Sequence, residues 1–373
     1  MSLLTPQDDL LGHQTPRNFA QAGNGDPRFT ERYWYTAHPL DGSPLIFDAG
    51  FGYYPNRGVM DAFAGITIGR RQFNFRASRR LGQNPLETAV GPLRLEVDVR
   101  SGEHRLMLDA NASGIAFDLV FVPSFPASQE KQSFRERKGQ VEEDLARVAQ
   151  FGRWRGWLQA DGRRYELDPS TWWGQRDRSW GIRSEMRTDE ARPPVQQHAN
   201  FFWTWSMLQL ADRGLSLFLK EREPGNSYYL SCTEFRRAAD GTVTRREATR
   251  VDHAITWAND PLGQTIAKAD LRVTFDHGDP CDFAIEGLPA RFYLKGGLYG
   301  GYDGWNHGDD RGNYDEANDV WDLDDPGTRA RARTLSDHVV RVQCGGHSGI
   351  GISEYGVATG YPLYLEPQKF PAL

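Results

Sequence analysis

The chain has 373 residues, with 44 lysines and arginines against 50 aspartates and glutamates, and its formal net charge is −6. This length suits two domains of ordinary size or one large domain. The balanced charge argues against a nucleic-acid-binding protein, which would carry a basic excess or a basic stripe. No run of about 18 apolar residues occurs, so no membrane-spanning helix is expected.

The three cysteines are Cys232, Cys281 and Cys344. Their odd number and the absence of a CxxC pair argue against a disulfide framework and favour a reducing compartment. Residues 1–17 lack a basic segment followed by an apolar one, so no signal peptide is predicted. We therefore expect the protein to be cytoplasmic.

In chain order, residues 1–30 are polar and rich in turn formers, which predicts an N-terminal arm. From Glu31 onwards, short aromatic and β-branched runs alternate with glycine, proline and aspartate, the pattern of a β-rich protein. The segment Leu93–Val99 alternates strictly between apolar and polar residues and predicts a half-buried strand. Asp-Gly pairs at residues 161–162 and 240–241 predict two β-hairpins.

Four segments depart from the strand pattern. Residues 141–149 fit either a short amphipathic helix or a solvated loop, and the sequence leaves both open. Residues 187–197 carry two consecutive prolines and are the best linker candidate. Residues 300–327 are rich in glycine, aspartate and asparagine and predict a long loop, and residues 329–334 predict a little helix.

Roughly seven to nine short strands are predicted on each side of the linker. Closing a sheet on itself removes its exposed edges, so two closed or nearly closed antiparallel units fit this pattern better than one barrel. We therefore predict an N-terminal arm at residues 1–30, a first β-domain at residues 31–190 and a second at residues 198–373.

The most distinctive segment is residues 171–183, which holds Trp172, Trp173 and Trp180, three arginines and Asp177. Burial among indole rings favours a neutral carboxyl group, whereas neighbouring guanidinium groups favour its charged form. The sequence therefore leaves two roles open for Asp177: a proton donor, or one partner of a structural ion pair.

Several short sequence motifs, taken together, are similar to those of one known family. They are Tyr53-Tyr54-Pro55-Asn56, Gly91-Pro92-Leu93, residues 152–156, residues 174–181 and Gly304-Trp305-Asn306-His307-Gly308. In this order they resemble the carotenoid 1,2-hydratases (hydroxyneurosporene synthases) and their AttH-like bacterial relatives, with fungal proteins likened to Diels–Alder pericyclases as more distant kin. The resemblance runs from about residue 31 to the end and is closest to the uncharacterised two-domain relatives.

The resemblance implies an all-β fold of two lipocalin-like (calycin) antiparallel β-barrels or sandwiches packed together. It also implies acid-initiated addition of water to an isoprenoid double bond. The family motif is Asp-His-x-Trp-Gly, and Asp177, Trp180 and Gly181 match it. Arg178 stands where the histidine is usual, and Gln175 stands where the carotenoid enzymes have tyrosine, so only Asp177 is carried over as the acid.

Hydration of an unactivated alkene needs a strong proton donor and protection of the resulting cation. A carboxylic acid kept neutral in an apolar pocket can donate the proton, and aromatic faces can stabilise the cation by about 0.5–2 kcal/mol each. The sequence offers Asp177 as the donor. The aromatic candidates for substrate binding are Trp172, Trp173, Trp180, Trp203 and Trp205.

Two further positions are candidates. His307 could activate or orient water, or could simply hydrogen-bond its own loop. Glu354 and Tyr355 form a second polar pair near the last strand, with Glu354 as a further catalytic candidate and Tyr355 as a substrate contact. A glutamate at a strand end is more often solvated or salt-bridged, so both interpretations stay open.

No metal site and no cofactor are predicted, because HExxH, paired-histidine and EF-hand patterns are absent. The expected partner is a small hydrophobic substrate, and the sequence leaves a homodimer open. Three functions follow: a cofactor-independent hydratase or dehydratase of an apolar alkene or tertiary alcohol, a pericyclase-like isomerase or cyclase of a polyene, and a non-catalytic carrier of hydrophobic ligands.

Overall fold

The computed structural model describes residues 6–9, 13–19, 21–82, 84–183, 200–260, 264–333, 335–358 and 361–364. The predicted linker at residues 187–197 lies outside the described residues. Within the described ranges the chain forms twenty-two β-strands, one α-helix and four 3-10 helices.

The strands are consecutive along the chain. Those of the first half are β1 (Phe29–Pro39), β2 (Leu45–Tyr54), β3 (Val59–Ile68), β4 (Arg71–Arg80), β5 (Ala89–Val90), β6 (Leu93–Val97), β7 (His104–Leu108), β8 (Ala116–Pro123), β9 (Ser128–Gln129), β10 (Ser133–Arg137), β11 (Gln140–Ala160), β12 (Arg163–Leu167) and β13 (Trp172–Ile182).

The strands of the second half are β14 (Phe202–Leu210), β15 (Arg213–Glu223), β16 (Asn226–Arg237), β17 (Val243–Trp257), β18 (Ile266–Phe275), β19 (Cys281–Tyr293), β20 (Asp315–Asp322), β21 (Ser336–Cys344) and β22 (His347–Val357). The α-helix is α1 (Pro326–Ala332), and the 3-10 helices are Pro6–Asp9, Pro55–Arg57, Leu294–Gly297 and Pro362–Tyr364.

The strands form two antiparallel units. The first is a fourteen-stranded curled sheet in the order β20-β4-β3-β2-β1-β13-β11-β8-β7-β6-β5, with β9, β10 and β12 also paired to β11. The second is a closed eight-stranded barrel of β14 to β19, β21 and β22. These two packed units confirm the predicted all-β, calycin-like fold class.

Each unit buries its own apolar core because side chains alternate between the two faces of a strand. Tyr35, Phe47 and Trp154 lie in the core of the first unit. Leu217, Phe283 and Val340 lie inside the barrel. The opposite face of β1, β2, β11 and β13 packs against the outside of the barrel, and this contact surface holds the candidate site.

The prediction for residues 141–149 was wrong in both forms, because this segment belongs to the long strand β11. Its residues pair in register with β13, from Asp144 opposite Ile182 to Ala149 opposite Asp177. Leu145, Ala149 and Phe151 are buried at alternate positions. The charged residues between them weaken the strand period that the sequence shows.

The prediction of one continuous loop at residues 300–327 was also wrong, because it contains β20. This strand pairs with β4, from Asp315 opposite Ser78 to Asp322 opposite Arg71. Its solvent face carries Glu316, Asn318 and Val320, so its apolar signal is weak. The strand belongs to the first sheet, although a division at residues 31–190 and 198–373 would assign it to the second domain.

Three local predictions are confirmed. The hairpin between β11 and β12 turns at Asp161 and Gly162, which both have positive φ, of 51° and 69°, as a type I′ turn requires. Residues 240–241 turn between β16 and β17. The helix predicted at residues 329–334 is present but runs from Pro326 to Ala332, after Asp325, whose side chain accepts a hydrogen bond from the Thr328 amide at 2.6 Å. None of the described helices is long and apolar enough to cross a membrane.

Candidate functional site

An aromatic and aliphatic cluster joins the first sheet to the outside of the barrel. Trp34 and Trp205 meet edge to face across this junction, with ring centroids 5.5 Å apart. We call this set the interface cluster. Its buried members are Trp34, Ile46, Phe63, Phe125, Ala149, Phe151, Trp173, Trp205, Met207, Phe235, Leu288, Ala290, Phe292, Leu294, Val339, Ile350 and Ile352, and its half-buried edge includes Leu40, Trp203, Phe218, Val243, Tyr299 and Leu335.

The strand register aims acidic residues at the same junction. Asp177 on β13 lies opposite Trp34 on β1, and Glu354 on β22 lies opposite Trp205 on β14. Directly opposed residues of antiparallel strands share one face of the sheet. Because Trp34 and Trp205 touch, both carboxylates belong to one site built from both units.

Three carboxyl groups form a row across the junction, which we call the acid row. Asp48 comes from β2 of the first sheet and lies opposite Thr36. Asp337 comes from β21 of the barrel. Strands β21 and β22 pair His338 with Ser353. One residue earlier on β21 and one residue later on β22, the same register places Asp337 beside Glu354. Asp48 and Asp337 are fully buried, whereas Glu354 keeps part of its surface exposed.

The acid row needs protons to satisfy its hydrogen bonds. As carboxylates, the oxygens of Asp48 and Asp337 have no hydrogen-bond partner among the described residues. With protons, Glu354 donates to Asp337, and Asp337 donates to Asp48. Burial, followed by the neighbouring charge of Asp337, raises the pKa of Glu354 well above its usual value.

The same cause acts on the other two acids. Burial is the largest cause that raises the pKa of Asp337, and the charge of Asp48 adds to it. Burial likewise raises the pKa of Asp48, and the neighbouring Asp337 opposes this shift. Like charges packed together cannot all ionise, so this environment favours the protonated form of the acid row.

Asp177 has a different environment, because it faces a guanidinium group. Arg147 Nε of β11 lies 3.3 Å from Asp177 Oδ2. Arg147 also donates to Glu130 Oε2 at 3.3 Å, and Trp205 Nε1 donates to Glu130 Oε1 at 2.7 Å. The ion pair left open by the sequence is therefore present, with a partner from outside the 171–183 segment.

Two arginines that flank Asp177 in sequence make other bonds. Arg176 donates to Gln150 Oε1 at 2.8 Å, and Arg178 pairs with Glu31. Consecutive side chains of a strand point to opposite faces, so the neighbours of Asp177 face away from the junction.

His307 lies at one end of the site and holds its own loop in place. Its Nε2 is 2.9 Å from Arg32 Nη2, and its Nδ1 is 3.2 Å from Asp61 Oδ2. An arginine only donates, so Nε2 accepts and the Nδ1 proton is donated to Asp61. Burial, followed by the charge of Arg32, lowers the pKa of His307, which keeps the ring neutral.

Tyr299 connects His307 to the acidic residues. Its ring lies edge-on to the His307 ring, with centroids 5.1 Å apart, and the Arg32 guanidinium sits 4.5 Å above it. Burial raises the pKa of Tyr299, Arg32 opposes this, and the charges of Asp177 and Glu354 act in the same direction as burial. Tyr299 therefore contacts the His307 ring and feels the charge of Asp177.

The predicted aromatic residues divide among three places. Trp173, Trp203 and Trp205 belong to the interface cluster. Trp172 lies in the core of the first sheet. Trp180 is 38% exposed, with the Arg178 guanidinium 5.7 Å from its ring. Alternation along the strand separates Trp172 and Trp180 from Asp177.

Tyr355 follows Glu354 directly but points into the barrel. Its hydroxyl lies 2.9 Å from His338 Nδ1 and accepts from Arg291 Nη2 at 3.2 Å. The pair Glu354–Tyr355 therefore does not act on one surface: Glu354 faces the junction between the units, and Tyr355 packs in the barrel core.

Three cavities, of about 780, 470 and 440 Å³, lie away from the acid row. The third is bordered by both units, at Gly69 and Arg70 of the sheet and at Arg291 and His338 of the barrel. None of the three is lined by Asp177, His307 or Glu354. Among the described residues, no group of three or more His, Cys, Asp or Glu side chains is arranged to hold a metal ion.

The fold and site define a protein of two packed antiparallel β-units with a row of three carboxyl groups between them. The chain belongs to a family of unknown function, DUF8625, whose model matches residues 4–361. No curated protein matches the chain.

The solved structures that are similar to this chain share little sequence with it. A protein assigned as AttH from Nitrosomonas europaea is 14% identical, covers 92% of this chain and 98% of its own, and has a TM-score of 0.54. Kievitone hydratase from Nectria haematococca is 11% identical over 88% and 89% of the two chains, with a TM-score of 0.42. CghA with Sch210972 is 12% identical over 90% of each chain, with a TM-score of 0.48. At this identity the AttH likeness shows the fold alone.

Sequence reasoning missed Asp48, Asp337, Arg147, Glu130 and Tyr299. A signal for Asp48 was present, because an acid inside the apolar run Leu45–Ala49 must be either paired or protonated once buried. Asp337 precedes an apolar run in the same way. The roles of Arg147 and Glu130 depend on strand pairing that the sequence does not show.

Proposed function

We propose that this protein is a cofactor-independent hydro-lyase that adds water to, or removes it from, a small apolar molecule, with Glu354 as the proton donor. The observation that supports this is the acid row at an aromatic junction. A carboxylic acid that keeps its proton at neutral pH is the general acid that hydration of an alkene requires.

Glu354 is favoured over Asp177 as the donor for a physical reason. Asp177 pairs with Arg147, and a guanidinium partner stabilises the carboxylate. Glu354 instead bonds to another acid and keeps exposed surface. Asp337 and Asp48 lie behind it, fully buried, so Glu354 is the member of the row that a substrate can reach.

The reaction is balanced by one proton cycle. Glu354 transfers its proton to one alkene carbon, which leaves a carboxylate and a carbocation. Water adds to the cation, and the proton it loses restores the Glu354 acid. Dehydration of a tertiary alcohol runs through the same steps in reverse.

The aromatic surroundings suit a cation and an apolar chain. Trp205 lies beside Glu354 in the strand register, and indole faces stabilise cations. Trp34 Nε1 is buried with no hydrogen-bond partner among the described residues, so it can donate to an oxygen of the alcohol. Trp203 and Tyr299, at the half-buried edge of the cluster, lie where a substrate would enter.

The remaining charged groups act as positioning residues. The chain from Asp177 through Arg147 and Glu130 to the indole nitrogen of Trp205 fixes the Trp205 ring beside Glu354. His307 and Asp61 fix the Arg32 guanidinium over the Tyr299 ring. An isoprenoid alkene or tertiary alcohol suits a site in which one accessible acid, Glu354, lies beside several aromatic rings.

The test is conversion of prenyl-type alkenes and tertiary alcohols in water enriched in oxygen-18 by wild type, Glu354→Gln, Asp177→Asn and Glu286→Gln. Glu286 pairs with Arg341 on the barrel surface and serves as the control. We expect labelled alcohol from wild type and Glu286→Gln, loss of at least a hundredfold in Glu354→Gln, and a smaller loss in Asp177→Asn. Unchanged turnover in Glu354→Gln would remove it as the acid.

The other two functions leave different products. An isomer without oxygen-18 would favour a cyclase or isomerase that uses the same protonated acid or only the shape of the site. Recovery of a bound apolar compound that is never converted would favour a carrier.

A further inference from the structure

Two of the three cysteines meet at the end of the barrel, far from the acid row in sequence and topology. Cys281 begins β19, and Cys344 ends β21. The register pairs Ala284 with Gln343, so the next step brings Phe283 beside Cys344. Cys281 lies two residues further along the same face, and the interaction between the two sulfurs is one of the causes that raise the pKa of Cys344. Both are free thiols.

Guanidinium groups surround this pair. Arg236 Nη2 lies 3.0 Å from Cys281 Sγ, and Arg246 Nη2 lies 3.1 Å from the same sulfur. Arg213 Nη1 lies 3.4 Å from Cys344 Sγ. Cysteines that react as nucleophiles occupy electropositive, partly exposed surroundings of this kind.

The arginines are held in place by one buried acid. Glu234 is fully buried and accepts from Arg236 Nε at 2.8 Å and from Arg246 Nε at 2.6 Å. Each guanidinium therefore uses Nε for Glu234 and an Nη group for the sulfur of Cys281. This orientation fixes two donors on one thiol.

The two cysteines differ in the way that an attacking and a resolving thiol differ. Cys281 is partly exposed, whereas Cys344 is buried. Burial is the largest cause that raises the pKa of Cys344, to about 11, with Arg213 opposing it. Cys344 therefore stays protonated at neutral pH, whereas Cys281 has two guanidinium donors to the one of Cys344 and is the sulfur that solutes reach.

We propose that Cys281 and Cys344 form a redox modification site, in which a hydroperoxide oxidises Cys281 and Cys344 then closes a disulfide. The Cys281 sulfur attacks one peroxide oxygen, the O–O bond breaks, and an alcohol (or water from hydrogen peroxide) leaves with a proton. The Cys344 sulfur attacks the resulting sulfenic acid, an S–S bond forms, and water leaves. Two thiols lose two electrons in total, and the peroxide gains them.

A disulfide here ties the start of β19 to the end of β21. Both cysteines lie outside the ladder between β19 and β21, whose first pair is Ala284–Gln343. Each belongs to the outermost pair of its other ladder, Cys281 with Val273 and Cys344 with His347. The small shift of a strand end needed to reach disulfide geometry is therefore opposed only by these two terminal pairs.

The test treats reduced protein with hydrogen peroxide and traps the products with N-ethylmaleimide or dimedone before peptide mass mapping. Wild type should lose two hydrogens and yield one cross-linked peptide that joins Cys281 to Cys344. Cys344→Ser should stop at sulfenic acid on Cys281, and Cys281→Ser should form neither product. Cys232, which is buried in the barrel core, is the matched control, and Cys232→Ser should oxidise like wild type.

The role of the guanidinium donors is tested separately. Arg236 has 42% of its side-chain surface exposed, so Arg236→Gln should fold, and it should oxidise at Cys281 at least threefold more slowly. Equal oxidation of Cys281 and Cys232 in wild type, or no dimedone adduct on Cys281 in Cys344→Ser, would overturn the proposal.

Discussion

The acid row makes a specific prediction about stability and pH. Asp337 is fully buried, and burial raises its pKa in the folded protein, whereas an unfolded chain has an aspartate pKa of about 3.9. Between these two pKa values the folded protein binds a proton that the unfolded chain has released. Stability must then fall as pH rises through this window.

The magnitude follows from linkage. Each proton held only by the folded state lowers the free energy of unfolding by about 1.4 kcal/mol per pH unit. Asp337→Asn removes one such proton and keeps the shape of the side chain. The side-chain amide that this substitution introduces can donate to Asp48, as the protonated acid does.

Relative to wild type, Asp337→Asn should therefore gain stability as pH rises, with a slope of about 1.4 kcal/mol per pH unit above pH 5. The slope ends where the acid row ionises. The three acids titrate as one coupled set, so the slope reports the set as a whole. Urea unfolding of both proteins at half-unit pH steps from 5 to 8 measures this difference.

The control is Asp118→Asn, because Arg105 bonds Asp118 and lowers its pKa. An aspartate with a lowered pKa stabilises the folded state above its unfolded pKa, and this stabilisation is lost as pH falls. Between pH 5 and 8 Asp118 is therefore ionised in both the folded and the unfolded state, and the stability difference between wild type and Asp118→Asn should not change with pH. A pH-independent difference between wild type and Asp337→Asn would mean that Asp337 is ionised in the folded protein, and the argument for a protonated row would fail.

Three further predictions concern the supports of the site. Gly174→Ala should destabilise the protein by roughly 3 kcal/mol, because the new Cβ would lie 1.9 Å from the Thr36 carbonyl oxygen and 2.4 Å from Trp154 Nε1. Urea unfolding measures this loss. The control is Gly162→Ala, whose added Cβ meets nothing within 4 Å but whose φ is positive, so it shows the effect of the turn conformation without a steric clash. Trp205→Phe should lower the free energy of unfolding by about 1–3 kcal/mol, because buried Glu130 loses the indole donor. Trp203→Phe, at the cluster edge, should lower it less, and calorimetry of both variants measures the difference. Burial lowers the pKa of His104 to about 3, so below about pH 6.5 the folded state binds fewer protons than the unfolded chain and stability falls as pH drops. His104→Gln should reduce this fall in the free energy of unfolding by about 1.4 kcal/mol per pH unit. The same pH dependence below pH 6.5 in wild type and variant would contradict the prediction.

The sequence predicted the architecture well because the strand period and the turn residues are local signals. Asp161-Gly162 specifies a hairpin whatever surrounds it. A helix or loop was wrongly predicted within Gln140–Gln150 because charged residues such as Arg147 mask the strand period. Such residues are buried here only because two sheets meet. β20 was missed because one of its faces is solvated.

The site was predicted only in part because it is made by pairing between distant strands. Glu354 and Asp177 could be selected as isolated acids, but their different partners could not. The partner of Asp177 comes from β11 and that of Glu354 from β21. Which carboxyl group is protonated depends on those partners and not on the neighbouring sequence.

The position of β20 has a consequence for biosynthesis. The edge of the first sheet, at β4, is completed by residues 315–322, which a ribosome adds long after β13. Until then β4 exposes an open edge to other nascent chains. A translation pause or truncation between β13 and β20 should therefore leave an aggregation-prone intermediate, and supply of the 315–322 peptide in trans should suppress that aggregation.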